Sequence, residues 1–228
     1  MNDELELDAH GGPLRATEIA WLTPVFLLSG AAALVYQVAW ERVLYAIFGV
    51  NSEAITVLVT AFLLGLGIGS ITGGWISKRP GCSHLLWFAA AELSVGVFGA
   101  ISIPFYHAVG DATLGMDRGS TALVTFLLVL APTLLMGATL PLLVTYAVRI
   151  TRSVGWSVGT LYHVNTAGSA LAAIVAVTLL LPYAGLQRSV WIAVFCNCIV
   201  SVAALRRYAH ERRSERKTAD ALVTVQQT

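Results

Sequence analysis

Charge is what this sequence has least of. Asp, Glu, Lys and Arg make up 12% of its 228 residues, against about 25% in soluble domains. The net charge is +1, so there is no basic footprint for nucleic acid. Three cysteines, Cys82, Cys196 and Cys198, cannot build a disulfide framework. Cys196 and Cys198 lie in an apolar run without the four-ligand set of a structural zinc, so buried thiols are expected and no metal. Nothing points to a cofactor. The first 18 residues are acidic where a secretory signal is basic, and the expectation is a cytoplasmic tail rather than a leader.

What the chain has in abundance is apolar length. It is 57% hydrophobic, with a mean hydropathy of +0.74. A membrane helix needs about 20 mostly apolar residues. Six segments meet that length, at about 19–40, 54–76, 84–106, 121–148, 158–183 and 189–205. The expected fold is therefore all-α, a polytopic bundle of six transmembrane helices over 19–205. A cytoplasmic tail over 1–18 precedes it, and a tail over 206–228 follows, first basic and then disordered. Arg15, Lys78, Arg79, Arg149, Arg152 and the tail cations fall on one side of this arrangement, eleven of the 14 Lys and Arg. Arg42, Arg118 and Arg188 fall on the other. That asymmetry places both termini in the cytoplasm of a multi-pass inner-membrane protein.

The run LLSGAAALVYQVAWERVL begins as a membrane helix and ends in charge. Tyr36 and Trp40, four residues apart, share a face and suit a membrane-interface belt. Gln37, Glu41 and Arg42 admit two readings: an ordinary helix end with a snorkelling arginine, or an inward polar cluster that meets a solute or a partner. In the second segment, Gly65, Gly69 and Gly73 recur every four residues and form a smooth ridge for close helix approach. Gly65, Gly67 and Gly69 lack the preceding strand and following acid of a dinucleotide loop. The loop GWISKRPGCS resembles the short cytoplasmic loop between the second and third helices of major facilitator transporters. Gly74, Arg79 and Gly81 match that pattern, whereas Lys78 stands where the family has Asp, and Cys82 and Ser83 replace its trailing basic residues.

Glu92, inside the third apolar segment, is expensive to bury in lipid, and such residues mark functional sites by default. The alternative is a carboxyl bonded to a neighbouring helix for packing alone. Pro132 and Pro141 in the fourth segment each remove a backbone donor and bend or break a helix. Broken helices line binding sites in transporters, and packing kinks are as common. In the fifth segment, His163 and Asn165 are candidates for titration and for interhelical hydrogen bonding, while Gly168 and Ala172 form a further small face. The basic run LRRYAHERRSERK suits anionic lipid at the cytoplasmic face. A weak internal echo links LSGAAALVYQVAWER with LMGATLPLLVTYAVR, at the first and fourth segments, as in the inverted repeat of half a transporter.

Four stretches in order, FLLSGAAALVYQVAWERVLYAIFG, AFLLGLGIGSITGGWIS, APTLLMGATLPLL and GTLYHVNTAGSALAA, are similar to the membrane region of membrane-bound spermidine synthase-like proteins. That family joins a major facilitator-like region to an aminopropyltransferase domain. The resemblance covers about 26–186 and implies a membrane bundle resembling half of a major facilitator transporter. These 228 residues contain no glycine-rich strand–helix loop for decarboxylated S-adenosylmethionine and no acidic pocket for putrescine, so the expectation is a non-catalytic protein. Two functions follow. One is transporter-like binding or translocation of a small solute, with a cationic, polyamine-like one as first candidate, in a homodimer joined along glycine ridges. The other is an accessory or anchoring subunit of a larger membrane complex, with a separately encoded spermidine synthase-like partner.

Overall fold

In a computed structural model of the protein, residues 20–49 and 52–226 are described, except for the side chains of 215 and 218–226. The expected tail over 1–18 lies outside the described residues. The described chain is all-helical. Helix α1 spans Leu22–Phe48, α2 Ser52–Ser77, α3 His84–Ala112 and α4 Arg118–Thr151. Helix α5, Val154–Val175, runs into a π-helical segment, Ala176–Ala184, and then into α6, Gly185–Gln226. Five helical stretches among the described residues are long and apolar enough to cross a membrane, the last being Val154–Ser214. Helices α1 to α4 and α6 are longer than the apolar segments that predicted them, because polar end residues join the helix to satisfy its terminal backbone groups, whereas α5, at 22 residues, is shorter than its 158–183 segment because the π-helical stretch takes over at Ala176.

The connections are short and chemically marked. Asp117 caps α4, accepting the amides of Gly119 at 2.9 Å and Ser120 at 3.1 Å. The side chain of Ser153 caps α5 through the Trp156 amide at 3.4 Å. Arg152, between those two helices, has a left-handed backbone with φ of 59°. Pro132 and Pro141 do not break α4, which is continuous through both, so the broken-helix expectation is corrected. In this apolar helix hydroxyls return donors to backbone carbonyls: Thr133 bonds Val129 O at 2.9 Å and Thr145 bonds Pro141 O at 2.8 Å.

Two apolar clusters mark the two ends of the bundle. One gathers Leu22, Phe26, Phe88, Leu143, Leu161 and Val200. The other gathers Trp40, Leu44, Tyr106, Ala172, Ala176 and Val190. Because α5 enters from the first cluster and α6 returns to it, the chain reverses between Ala176 and Val190. The reversal uses the π-helical segment and Gly185, whose φ of 77° and ψ of 172° leave the helical region. The sequence reading missed this segment and ran the fifth helix through it. The sequence suggests a disordered tail over 218–228, of which 227 and 228 lie outside the described residues. Helix α6 continues to Gln226, in a stretch that contains the good helix formers Ala, Leu and Gln.

The helices pair by small residues. The ridge of Gly65, Gly69 and Gly73 is buried against α4. A methyl group on Gly69 would overlap the Leu134 backbone, and one on Gly137 would overlap the Leu66 backbone. The ridge is thus consumed within the chain and is not free to join a homodimer, as the sequence reading had it. Helix α1 packs on α5 in the same way. A methyl group on Gly168 would overlap the Leu27 backbone, and one on Gly30 would overlap the Asn165 carbonyl. The two contacts repeat in register. Leu27 and Gly30 stand to Gly168 and Asn165 as Leu134 and Gly137 stand to Gly69 and Leu66. Helix α3 packs on α6 between these pairs.

Candidate functional site

Glu92 is placed by the face of α3 that also carries Phe88, Val95 and Gly99, all buried. Phe88, Val95 and Gly99 are spaced at three to four residues around it, so α3 turns one stripe inward and Glu92 goes with it. The side chain is 3% exposed. The hydroxyl of Ser29, on α1, donates to its Oε1 at 2.5 Å. From the other side, Asn197 on α6 donates Nδ2 to the backbone carbonyl of Glu92 at 3.1 Å. One turn further along, Ser201 donates to the Ala89 carbonyl at 2.9 Å. Three helices therefore converge on this carboxyl.

The nitrogen of the Asn197 amide is fixed by the carbonyl it bonds, since a carbonyl only accepts. Its Oδ1 is then the other end of the group. That oxygen is buried and accepts no hydrogen bond. An unmet buried acceptor costs about 1–3 kcal/mol, which makes it a sign of a missing donor.

Ser29, Glu92 and Asn197 line a cavity of about 280 Å³ in the middle of the bundle, together with Gln37, Asn165 and Ser169. Its remaining wall is mainly apolar, from Phe26, Phe62, Leu66, Val95 and Met136. Ser169 is positioned by a bond from its hydroxyl to the Gly30 carbonyl at 3.0 Å, next to the close α1–α5 approach. Larger pockets lie at the two ends of the bundle. One of about 370 Å³ borders Cys82, His84, Arg149 and Glu211, and one of about 530 Å³ borders Glu53, Met116 and Arg118. Neither contains a charged side chain as buried as Glu92. At the first, burial pushes the Cys82 thiol up, against the guanidinium groups of Arg149 and Arg79.

Of the polar residues singled out in the sequence, Glu92, Gln37 and Asn165 meet at the central cavity. Glu41 does not line it. It accepts from Gln37 Nε2 at 3.3 Å and faces a separate small pocket with Leu58 and Val129. Arg42 and His163 are exposed and belong to neither, so the inward triad of Gln37, Glu41 and Arg42 is corrected to Gln37 and Glu41. Tyr36 and Trp40 are not an interface belt either. They are 0% and 1% exposed, stacked with ring centroids 4.9 Å apart, and the Trp40 indole donates to Ser102 at 2.9 Å. Gly99 makes room for Tyr36, since a methyl group there would meet its ring.

Ser29, Ser169 and Asn197 were missed in the sequence. Serines in helices usually bond their own backbone, and Asn197 sat unremarked between two cysteines. A polar amide in the middle of an apolar segment was the one available signal. Among the described residues no group of three or more His, Cys, Asp or Glu side chains could hold a metal ion.

The chain matches no family model, no curated protein and no solved structure.

Proposed function

We propose that this chain crosses a membrane six times, as half of a transporter-like architecture, and binds a small solute at the cavity beside Glu92. The observation that carries the reading is the cavity itself: a buried carboxyl at the junction of α1, α3 and α6, beside open volume. Close packing favours filling such a volume. Empty space inside a bundle forfeits dispersion contacts, and a carboxyl in lipid is costly. Both are kept at one place.

The repeated glycine contacts support the architectural part. Exchanging α1, α2 and α3 with α4, α5 and α6 turns the α2–α4 pair into the α5–α1 pair, residue for residue at the close contacts, and returns the α3–α6 pair to itself. Inverted repeats of this kind carry their sites where the halves meet, which is where Glu92 sits. The reversal between Ala176 and Val190 divides the long last helical stretch into two limbs, which supports counting a sixth crossing. Basic residues at the end of the bundle shared by Lys78, Arg149 and Arg207 support a cytoplasmic orientation for that end, in an inner membrane. The major facilitator and spermidine synthase-like likeness of the sequence agrees with this architecture and suggests a cationic, polyamine-like solute. The proposed role is non-catalytic.

A second reading, an anchoring subunit for a larger membrane complex, draws on one observation. Helix α6 runs past its contact with α4 at Glu211 and on to Gln226, and a charged helix end suits a partner, a separately encoded synthase-like protein included.

The test is reconstitution of the purified chain in vesicles, with solute uptake and binding measured for the wild type and Glu92→Gln. Binding that is lost in the variant supports the solute-binding reading. A chain that binds no small molecule but is recovered from its membrane with a stoichiometric second polypeptide, seen by native mass spectrometry, supports the subunit reading instead.

A further inference from the structure

Glu92 and Asn197 line one cavity, and Asn197 Oδ1 is an unfilled buried acceptor there. The described residues give the carboxylate a single side-chain donor, the Ser29 hydroxyl on Oε1. Asn197 is held against Glu92 by its own nitrogen, and its Oδ1 accepts nothing. Both residues are 3% exposed, and both line the same cavity. Among the described residues lining that cavity, Glu92 is the one acidic residue, and none is Lys, Arg or His.

The occupant that answers these facts brings positive charge and several donors. A carboxylate or phosphate solute is repelled. A neutral hydroxyl would satisfy Oδ1 but leave the buried carboxylate without a counter-charge, which is the arrangement interiors avoid. An ammonium group offers three donors and no acceptor. It can bond Glu92 and Asn197 together. The rest of the cavity, with Phe62, Leu66, Val95 and Met136 in its wall, takes an apolar body attached to that nitrogen, as small-molecule sites commonly do.

We propose that the cavity binds a primary amine with one ammonium group and a short apolar body, its nitrogen held between the Glu92 carboxylate and Asn197 Oδ1. This rests on the solute-binding reading above and narrows it. It also departs from the polyamine expectation. A second ammonium would find no second carboxylate in the lining. Glu41, the other acid on the inner helices, is engaged by Gln37 and lies outside the cavity. It stands twelve residues along α1 from Ser29, roughly 18 Å at the helical rise.

The experiment uses the full chain in lipid nanodiscs near pH 7, with thermal unfolding and calorimetry as readouts. The probes are pentylamine, 1-pentanol, pentanoate, 1,5-diaminopentane and sodium chloride. Pentylamine is expected to raise Tm and to bind at least tenfold more tightly than the alcohol, the acid and the diamine. Glu92→Gln and Asn197→Ala are each expected to weaken it at least tenfold, with circular dichroism showing that the helices persist. Equal binding of pentylamine and pentanol overturns the amine assignment while leaving the solute-binding reading intact. So does tighter binding of the diamine, or stabilisation by sodium alone that Glu92→Gln removes. If a variant fails to fold, the comparison of the four organic probes on the wild type decides the question. Binding of none of them overturns the amine assignment, and a broader solute screen that is also empty removes the solute-binding reading.

Discussion

Asn197 reaches from α6 to the backbone of Glu92 on α3, 105 positions away in the chain, and bonds its carbonyl at 3.1 Å. The contact ties two helices at the depth of the only buried carboxyl among the described residues. It also orients the amide so that its oxygen faces away from that carbonyl. Replacing Asn197 with Leu is expected to destabilise the bundle by about 1 kcal/mol, the measured scale of interhelical hydrogen bonds in membranes. Unfolding in mixed micelles with increasing SDS checks this. A loss near zero would mean that the bond is replaced by water from the cavity.

The glycine contacts separate into tight and open ones. A valine at Gly69 or Gly137 meets backbone across the helix pair, which cannot move aside as a side chain can, whereas Gly67 has nothing within 4 Å. Gly69→Val and Gly137→Val are expected to lower stability by at least the 1–3 kcal/mol typical of overpacking. Gly67→Val is expected to be nearly neutral. Thermal melting of the three variants under one detergent condition provides the comparison.

Asp117 caps α4 from a fully exposed position. Hydrogen bonds from the Ser120 side chain and amide, and from the Gly119 amide, hold its carboxyl below its ordinary value of 3.8. A depressed pKa stabilises the folded helix end at every pH above the ordinary value. The contribution is lost as pH falls through the lower, folded-state value. The amide resonances of Gly119 and Ser120 are therefore expected to titrate below pH 3.8, and Asp117→Ala is expected to fray the first turn of α4 at neutral pH but to match the wild type in strong acid. Titration at or above the ordinary value would show that the cap is absent.

The six-crossing reading sets Cys82 and Met116 on opposite sides of the membrane. In intact cells a membrane-impermeant maleimide is expected to label Met116→Cys, placed in a background with the native cysteines replaced. Cys82 is expected to label only after permeabilisation. It should also react slowly at neutral pH, because burial raises its thiol pKa and the thiolate is the reactive form. Labelling of both from one side would contradict the topology.

Tyr146 and Glu211 join α4 to the far part of α6 by a hydrogen bond of 2.5 Å from the phenol, and Arg207 pairs with the same carboxylate oxygen at 3.0 Å. Glu211→Ala is expected to leave the bundle folded and to release the end of α6. Limited proteolysis after the cations between Arg207 and Lys217 should then speed up severalfold, and an unchanged rate would show that the docking is not held by this residue.

The apolar lengths of the helices, the inward Glu92 and the small-residue ridge of α2 were legible in the sequence because each is a local property: run length, a lone acid, a four-residue spacing. What the ridge meets was not legible. It was offered to a second copy, and α4 of the same chain occupies it. The aromatic pair of Tyr36 and Trp40 was misread for a similar reason. Spacing shows that two rings share a face, but only the partner helix shows whether that face is lipid or core, and Gly99 and Ser102 lie 63 and 62 residues further along the chain. Asn197 and Ser29 became visible only when α1, α3 and α6 were brought together. The fold over the π-helical segment was hidden because Ala176–Ala184 is as apolar as any membrane helix, and its turn shows only in the backbone angles at Gly185.

The close seams between α2 and α4 and between α1 and α5 are made of backbone against backbone. Such seams contain few rotatable groups, so neither pair can slide or splay without tearing contacts that no side chain could re-form. Each pair behaves as a stiff two-helix plank. If the bundle opens around a solute as proposed, two stiff planks leave rocking of one against the other as the motion, with the bonds between α3 and α6 bridging the helices that lie outside the planks.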